Sequence, residues 1–403
     1  MKILLLCNKS PWPLFEGGPI AMHSMISGLL QAGHQVKVLA ANTNKYTVDP
    51  ATIPESFSRS TGIEFAYIDL SIRPLDALYN YLTRQSYHVI RFRARSFREK
   101  LVSILQKENF DIIQVEMLYM TIYLNTIRKY SRAPVILRAH NIEHLIWKRI
   151  AENSLNTLKK HYLKQLYRSL RSYELSMLSQ VDGIVAITET DSGFFRKHAG
   201  TVPVISIPFG INPVSLPSPS PTPSETDLFH IGSMNWIPNE EGISWFLVQV
   251  WPEVSKRHQK LKLFLAGRAM PDWLLSLKLP GIDVLGEVPD AGLFMQQHQI
   301  MIVPLFSGSG IRIKIIEAMT AGKVVISTSI GAEGIGYEQG KNLIIADSAA
   351  DFVKAIDRLI ADENYRLALG QNARSLMLSE HNNAELMKRL TGFYHQLLKS
   401  PGE

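Results

Sequence analysis

Short aliphatic segments alternate with longer amphipathic segments along the whole chain, and this alternation restricts the fold more than any other feature. The short segments are rich in Ile, Leu and Val, as are strands of a parallel sheet covered on both faces. They lie at 3–6, 36–41, 63–70, 111–117, 134–140, 183–188, 204–208, 228–232, 261–267, 282–287, 299–305, 323–327 and 342–346. Helical patterns lie between them, among others at 19–32, 94–108, 240–257, 313–321 and 349–361. The sequence therefore predicts doubly wound α/β domains.

A proline-rich break divides the chain. Residues 212–226 read NPVSLPSPSPTPSET, and five of these fifteen residues are proline. Proline cannot donate to a strand ladder, so we expect an extended linker here. The predicted organisation is one domain at 1–211, a linker at 212–226, a second domain at 227–380 and a final helix at 381–403.

Composition excludes several classes of protein. Of 403 residues, 46% are hydrophobic and 20% are charged, which is typical of globular domains. The single cysteine, Cys7, excludes an intramolecular disulfide and a cysteine-rich metal site. The apolar start is too short for a signal peptide, and no segment approaches the ~20 apolar residues of a membrane span. We expect a cytoplasmic protein.

The strongest chemical signal is the segment from Val303 to Met319, VPLFSGSGIRIKIIEAM. A strand is predicted to end at Leu305 and a helix to begin near Ile311, with the Ser307–Gly310 loop between them. Backbone N–H groups at such a turn bind phosphate. Basic side chains are unfavourable in a first helical turn, so Arg312 and Lys314 argue for a bound anion. The alternative is a solvated helix start.

Two features of the first half are weaker candidates. Gly17 and Gly18 precede Pro19 and allow a ligand to approach the backbone, although a plain turn explains them as well. His140 ends a predicted strand close to Asn141, Glu143 and His144, where ligands of parallel sheets bind. A structural histidine is the alternative there.

Other catalytic motifs are missing from the sequence. The dinucleotide fingerprint, the Walker loop, Asp-x-Asp, His-Glu-x-x-His and Gly-x-Ser-x-Gly do not occur. The sequence therefore gives no support for a nicotinamide dehydrogenase, a metal-dependent mechanism or a serine nucleophile.

Taken together, these motifs resemble the group 1 (family 4) retaining glycosyltransferases of the GT-B fold. The resemblance covers nearly the whole chain and rests on these segments: Gly17-Gly18, 33–36, His140, 207–212, 265–268, 284–288 and 317–325. It implies two Rossmann-like domains facing a cleft, with the acceptor on the first and the sugar nucleotide on the second. The final helix would cross back to the first domain.

The resemblance also implies site residues. His140, Arg312 and Lys314 are the predicted catalytic residues. The predicted donor-binding residues are Gly17, Gly18, Gly286, Val288, Ser307, Gly308, Ser309, Gly310, Ile311 and Glu317, of which Glu317 would hold the ribose. The family usually has an earlier glutamate where this chain has Ser309. Many members also have an Arg and a Lys where residues 232–242 have neither, so Arg312 and Lys314 are expected to supply that charge.

The predicted reaction moves a sugar from a nucleoside diphosphate donor to a hydroxyl acceptor with retention of configuration. It needs no cofactor or metal and belongs to polysaccharide or glycolipid biosynthesis. A GT-B-like sugar-nucleotide epimerase and a non-catalytic sugar-nucleotide-binding protein remain alternatives.

Basic residues concentrate in the first half. Residues 1–215 have a net charge of +10 and residues 216–403 a net charge of −3. One cluster spans 91–100, and a second places Lys160, Lys164, Arg168 and Arg171 at helical spacing beside Leu158, Tyr162, Leu163, Leu166 and Leu170. Such a helix suits either an anionic membrane surface presenting a lipid-linked acceptor or ordinary packing on its own domain. No nucleic-acid-binding motif accompanies it.

Overall fold

The computed structural model describes residues 1–14, 17–154, 156–211, 226–308 and 310–399. Ser309 and all but the last residue of the predicted linker lie outside the described residues. The chain divides into two compact units. The first contains Met1–Gly210 and the C-terminal segment from Asn383, and the second contains Ile211–Asn382.

The first unit is built on one parallel sheet. Its described strands are β1 (Lys2–Cys7), β2 (Gln35–Thr43), β3 (Glu64–Ile68), β4 (Ile112–Glu116), β5 (Val135–Ala139), β6 (Gly183–Ala186) and β7 (Val204–Ser206). Their spatial order is β3-β2-β1-β4-β5-β6-β7. The described helices are α1 (Gly17–Gln31), α2 (Glu55–Thr61), α3 (Pro74–Thr83), α4 (Tyr87–Ile90), α5 (Arg95–Lys107), α6 (Leu124–Tyr130), α7 (Glu143–Asn153), α8 (Thr157–Leu178) and α9 (Glu189–His198).

The second unit repeats this arrangement. Its described strands are β8 (Leu228–Ile231), β9 (Leu263–Ala266), β10 (Ile282–Gly286), β11 (Ile300–Val303), β12 (Val324–Ser327) and β13 (Ile344–Ile345), in the order β10-β9-β8-β11-β12-β13. Its described helices are α10 (Ile237–Gln249), α11 (Trp251–Arg257), α12 (Asp272–Leu275), α13 (Ala291–Gln297), α14 (Ile313–Thr320), α15 (Ala349–Ala361) and α16 (Glu363–Glu380). The strand order reverses between β8 and β11, where ligands of such sheets bind.

The predicted fold class is confirmed: both units are Rossmann-like, and every predicted aliphatic segment contains a strand. One helix prediction was wrong. The pattern over 240–257 predicts one helix, but the chain forms α10 and α11. Pro252 has no N–H to continue the helix and instead occupies the first turn of α11. Helix α14 begins at Ile313 rather than near Ile311, because Gly310 has a φ of +84°.

A last helix, α17 (Asn383–Lys399), packs against the sheet of the first unit. Its buried residues Leu386, Leu390 and Tyr394 share a core with the inward side chains of β1. The helix comes so close to β6 that a Cβ on Gly183 would lie 2.9 Å from atoms of both Phe393 and Leu397. Burial of these apolar side chains stabilises the first unit.

The apolar stripe predicted on α8 is mostly core. Leu163, Leu166 and Leu170 are buried in the first unit, whereas Leu158 and Tyr162 are exposed. In the other basic cluster, Phe92 and Phe97 are also buried. The basic stripe of α8 therefore does not lie beside a free apolar face along the whole helix.

Replacing Leu390 with alanine should destabilise the first unit. The side chain is fully buried in α17, and removing such a leucine costs about 2–5 kcal/mol. Leu398→Ala is the matched control, because Leu398 lies on the same helix but is 40% exposed. Thermal unfolding should show a clear fall in Tm for Leu390→Ala and almost none for Leu398→Ala. Equal melting of the two variants would contradict this packing of α17.

Candidate functional site

The loop between β11 and α14 lies at the strand-order reversal of the second unit. Gly308 and Gly310 have φ values of +104° and +84°, which residues with a side chain rarely adopt. The Ser307 hydroxyl lies 3.4 Å from the Glu241 carboxylate, and Ile311 is half-buried. The glycines therefore shape the predicted phosphate loop.

Lys314 enters this edge of the sheet from α14. Its Nζ donates to Oδ1 of Asn239 at 2.9 Å and lies 3.5 Å from Nε2 of His230. Nδ1 of His230 donates to the Ile302 carbonyl at 2.9 Å, which leaves the Nε2 lone pair facing the lysine. Burial and the charge of Lys314 hold the pKa of His230 well below its usual value. A neutral histidine and an asparagine therefore position the lysine.

Two basic side chains lie at this point of the second unit, Arg312 and Lys314. Burial, followed by repulsion from Arg312, lowers the pKa of Lys314 to about 7. The Arg312 guanidinium lies 5.0 Å from the centre of the Trp236 ring and donates to the Gly310 carbonyl. Two cationic side chains are thus held beside one glycine-rich loop. An anion bound beside Lys314 would raise its pKa and so favour the charged ammonium form that burial disfavours.

Glycines continue along the same edge of the sheet. A Cβ on Gly232 would lie 3.0 Å from Nζ of Lys314, and one on Gly267 would lie 1.8 Å from the Gly232 carbonyl oxygen. The Gly267 N–H donates to the Gly286 carbonyl at 2.7 Å. Gly286 ends β10, and the half-buried Val288 follows it. Two strands separate β10 from β11, so these two residues share the edge of the loop rather than the loop itself.

Glu317 lies one turn beyond Lys314 on α14. Burial raises the pKa of its carboxyl to about 7. A carboxyl group in that state can exchange hydrogen bonds with neutral hydroxyl groups at little electrostatic cost. The predicted role of Glu317 as a ribose-binding residue stays a prediction.

In the first unit, His140 belongs to a buried ionic network at the carboxyl ends of β4 and β5. Oε2 of Glu116 lies 2.7 Å from His140 Nε2 and 3.0 Å from Arg138 Nη1. Gln114 donates to the other Glu116 oxygen at 2.6 Å and accepts from the Tyr394 hydroxyl of α17. The network fixes the orientation of the imidazole ring.

The pKa values of Glu116 and His140 in this network are shifted from their usual values. Burial alone would raise the pKa of Glu116, but Arg138 and the hydrogen bond with His140 outweigh it and lower the pKa to about 2. Burial lowers the pKa of His140 despite the neighbouring carboxylate. His140 is therefore neutral at pH 7, with Nε2 donating to Glu116 and Nδ1 as an acceptor.

Gly17 and Gly18 lie at the beginning of α1. A Cβ on Gly18 would lie 2.8 Å from Cε of Lys9, and the charge of Lys9 contributes to lowering the pKa of His140. The structure thus brings the diglycine, Lys9 and His140 near one another.

The other polar residues after β5 have a structural role. Glu174 of α8 accepts from the backbone N–H groups of Glu143 and His144, at 3.0 and 3.1 Å, and so caps α7. The Tyr119 hydroxyl donates to Glu143 at 2.6 Å. Burial raises the pKa of Glu143 to about 7. The predicted polar cluster therefore has two parts: His140 lies at the sheet edge, whereas Glu143 and His144 connect α7 to α8.

Sequence reasoning missed the residues that position the predicted ones. His230 stands as a polar residue inside the aliphatic strand LFHI, which is a usable signal. Asn239 and Trp236 lie in residues 232–242, where the absence of Arg and Lys drew attention away from them. Glu116 likewise ends an otherwise apolar strand.

The described ranges contain no group of three His, Cys, Asp or Glu residues placed to hold a metal ion. No helix among them has the length and apolarity required to cross a bilayer.

Comparisons with known proteins show what the chain is similar to. A family model described as "Glycosyltransferase Family 4" matches residues 16–214, and one described as "Glycosyl transferases group 1" matches residues 225–362. An uncharacterized 44.6 kDa protein of the cps region of Klebsiella pneumoniae is 23% identical over 367 residues, covering 88% of this chain and 90% of that protein.

Solved structures show the same fold. Sucrose-phosphate synthase from Thermosynechococcus elongatus superposes with a TM-score of 0.71 at 15% identity, with both chains fully covered. Anabaena Alr3699/HepE in complex with UDP-glucose superposes with a TM-score of 0.65 at 16% identity, covering 98% of this chain and all of that one. The matched family models and the shared GT-B fold identify this chain as a member of the group 1, family 4 glycosyltransferases.

Proposed function

We propose that this protein is a retaining, metal-independent hexosyltransferase that uses a nucleoside diphosphate sugar. The observation that carries the proposal is the half-buried Lys314, held by Asn239 and His230 beside Arg312 and the glycine-rich loop. Fixed positive charge in a site of low polarity stabilises a departing diphosphate more strongly than it would in water. Arg312 and Lys314 thus take the part that a divalent cation plays in other transferases.

The proposed reaction breaks the bond between the anomeric carbon and the oxygen of the β-phosphate. The acceptor oxygen forms the new bond on the same face of the sugar, and its proton passes to the departing phosphate. Glu317 is proposed to bind the ribose hydroxyls and His140 to bind the donor sugar. A neutral His140, with Nδ1 as acceptor, suits a hydroxyl partner.

Two findings on related proteins suggest the substrates. Alr3699/HepE binds UDP-glucose, and the Klebsiella relative belongs to a cps region. We therefore propose a UDP-hexose donor and a glycan or lipid-linked sugar acceptor in polysaccharide biosynthesis.

A panel of UDP-hexoses tests the reaction. The protein is incubated with each donor and excess glycerol as a surrogate acceptor, in the presence of excess EDTA, and the product is examined by proton NMR. We expect release of UDP and an α-glycoside from an α-linked donor. A β-glycoside would contradict retention. Loss of activity in EDTA that Mg²⁺ or Mn²⁺ restores would contradict metal independence, and an epimerised nucleotide sugar would favour the epimerase.

Removing either cationic side chain should impair transfer. We expect Lys314→Ala and Arg312→Ala each to lower kcat about 10²-fold, as is typical when a stabiliser of developing negative charge is lost. Lys354→Ala is the matched control, because Lys354 is exposed on α15 of the same unit and should not affect turnover. Melting curves check that the variants fold. Unchanged turnover in both site variants would refute the assignment.

A further inference from the structure

Helix α3 of the first unit presents an apolar face to solvent. Leu75, Tyr79 and Leu82 follow one another at helical spacings of four and three and are 81%, 61% and 70% exposed. Ile72, just before the helix, is 71% exposed. Large apolar side chains grouped in this way on a surface mark an interaction site more often than isolated ones do.

The beginning of α8 extends this face. Leu158 is 83% exposed, and Tyr162 stacks on Tyr81 of α3 with the ring centres 6.0 Å apart. The hydroxyl of Tyr87 accepts from the backbone N–H of Arg73 at 2.9 Å, which ties the start of α3 to α4. The α3/α8 surface is defined here as Ile72, Leu75, Tyr79, Leu82, Leu158 and Tyr162.

The two segments that contribute the α3/α8 surface are rich in basic residues. Segments 71–93 and 148–171 together contain eleven Lys and Arg residues against two carboxylates, a net charge of +9. The whole chain has a net charge of only +7, so these two segments more than account for it. Arg73 and Arg84 lie at the two ends of α3, and the exposed Lys159 lies in the first turn of α8.

We propose that the α3/α8 surface docks on an anionic lipid bilayer. Aliphatic and tyrosine side chains beside a dense basic charge are the combination that an interfacial helix uses, with the apolar groups among the acyl chains and the cations at the headgroups. Each basic residue near such a surface strengthens binding about fivefold. We propose an anionic surface because its charge complements the net positive charge of segments 71–93 and 148–171, which a neutral or positively charged partner would not balance. The proposal does not depend on the proposed reaction.

The test is flotation of the full chain with vesicles of phosphatidylcholine containing increasing phosphatidylglycerol. Leu75→Gln/Leu82→Gln should lower the vesicle partition coefficient at least tenfold. Arg84→Asn/Lys159→Gln removes two basic residues and should lower it about 25-fold at low salt and much less at high salt, where charges are screened. Arg84 has a φ of +56°, which asparagine tolerates, so this change should leave the fold intact.

The matched control is Leu293→Gln/Leu398→Gln, which changes two leucines that are 58% and 40% exposed elsewhere. Its binding should equal that of the wild type. Failure of the wild type to float with anionic vesicles would overturn the proposal, as would unchanged flotation of Leu75→Gln/Leu82→Gln. A wild-type dimer that this variant converts to monomer would assign the surface to a second copy instead. Melting curves and UDP release check the fold and the proposed reaction separately.

Discussion

The ammonium group of Lys314 lies half-buried at the strand-order reversal of the second unit, and the surrounding residues are arranged about it. Lys314 carries a charge that burial disfavours, and Arg312 nearby makes it less favourable still. His230 and Asn239 offer two neutral acceptors, which hold the group in place without neutralising it. A carboxylate in either position would have satisfied the charge within the protein. Neither of these two partners of Lys314 carries a negative charge, and this is one reason for proposing that a phosphate binds here.

The two units share one sheet topology but differ in the residues at the carboxyl ends of their strands. In the first unit, the charges at the strand ends are matched internally, because Glu116 pairs with Arg138 and accepts from His140. Gln114 connects this pair to Tyr394 of α17, so the final helix contributes to the orientation of His140. In the second unit, glycines replace side chains along the edge, and backbone atoms approach one another closely. A rigid network of paired charges suits positioning, whereas a glycine-lined edge beside Arg312 and Lys314 suits the anionic ligand that we propose.

Much of this fold could be predicted from sequence because buried parallel strands are nearly continuous aliphatic runs. The glycine-rich loop between β11 and α14 could also be predicted, because its residues are contiguous. The partners of Lys314 were not, because His230 and Asn239 lie 84 and 75 residues away in the chain. The role of the α8 stripe stayed open for a related reason: Leu163 and Leu170 fit a membrane face or a core equally well in sequence, and only packing separates the two. Conversely, the apolar face of α3 has an ordinary amphipathic pattern, so the sequence does not show that this face is exposed to solvent.

The number of protons taken up when UDP binds tests most directly whether Lys314 becomes charged beside the diphosphate. Calorimetric titrations at pH 8 in buffers of different ionisation enthalpy measure this number. With a pKa of about 7, Lys314 is mostly neutral at pH 8 in the free protein and should become charged beside the diphosphate. The account predicts uptake approaching one proton in the wild type and a clear reduction in Lys314→Arg, whose side chain is already charged. Absence of uptake in the wild type, or equal uptake in the two proteins, would contradict it.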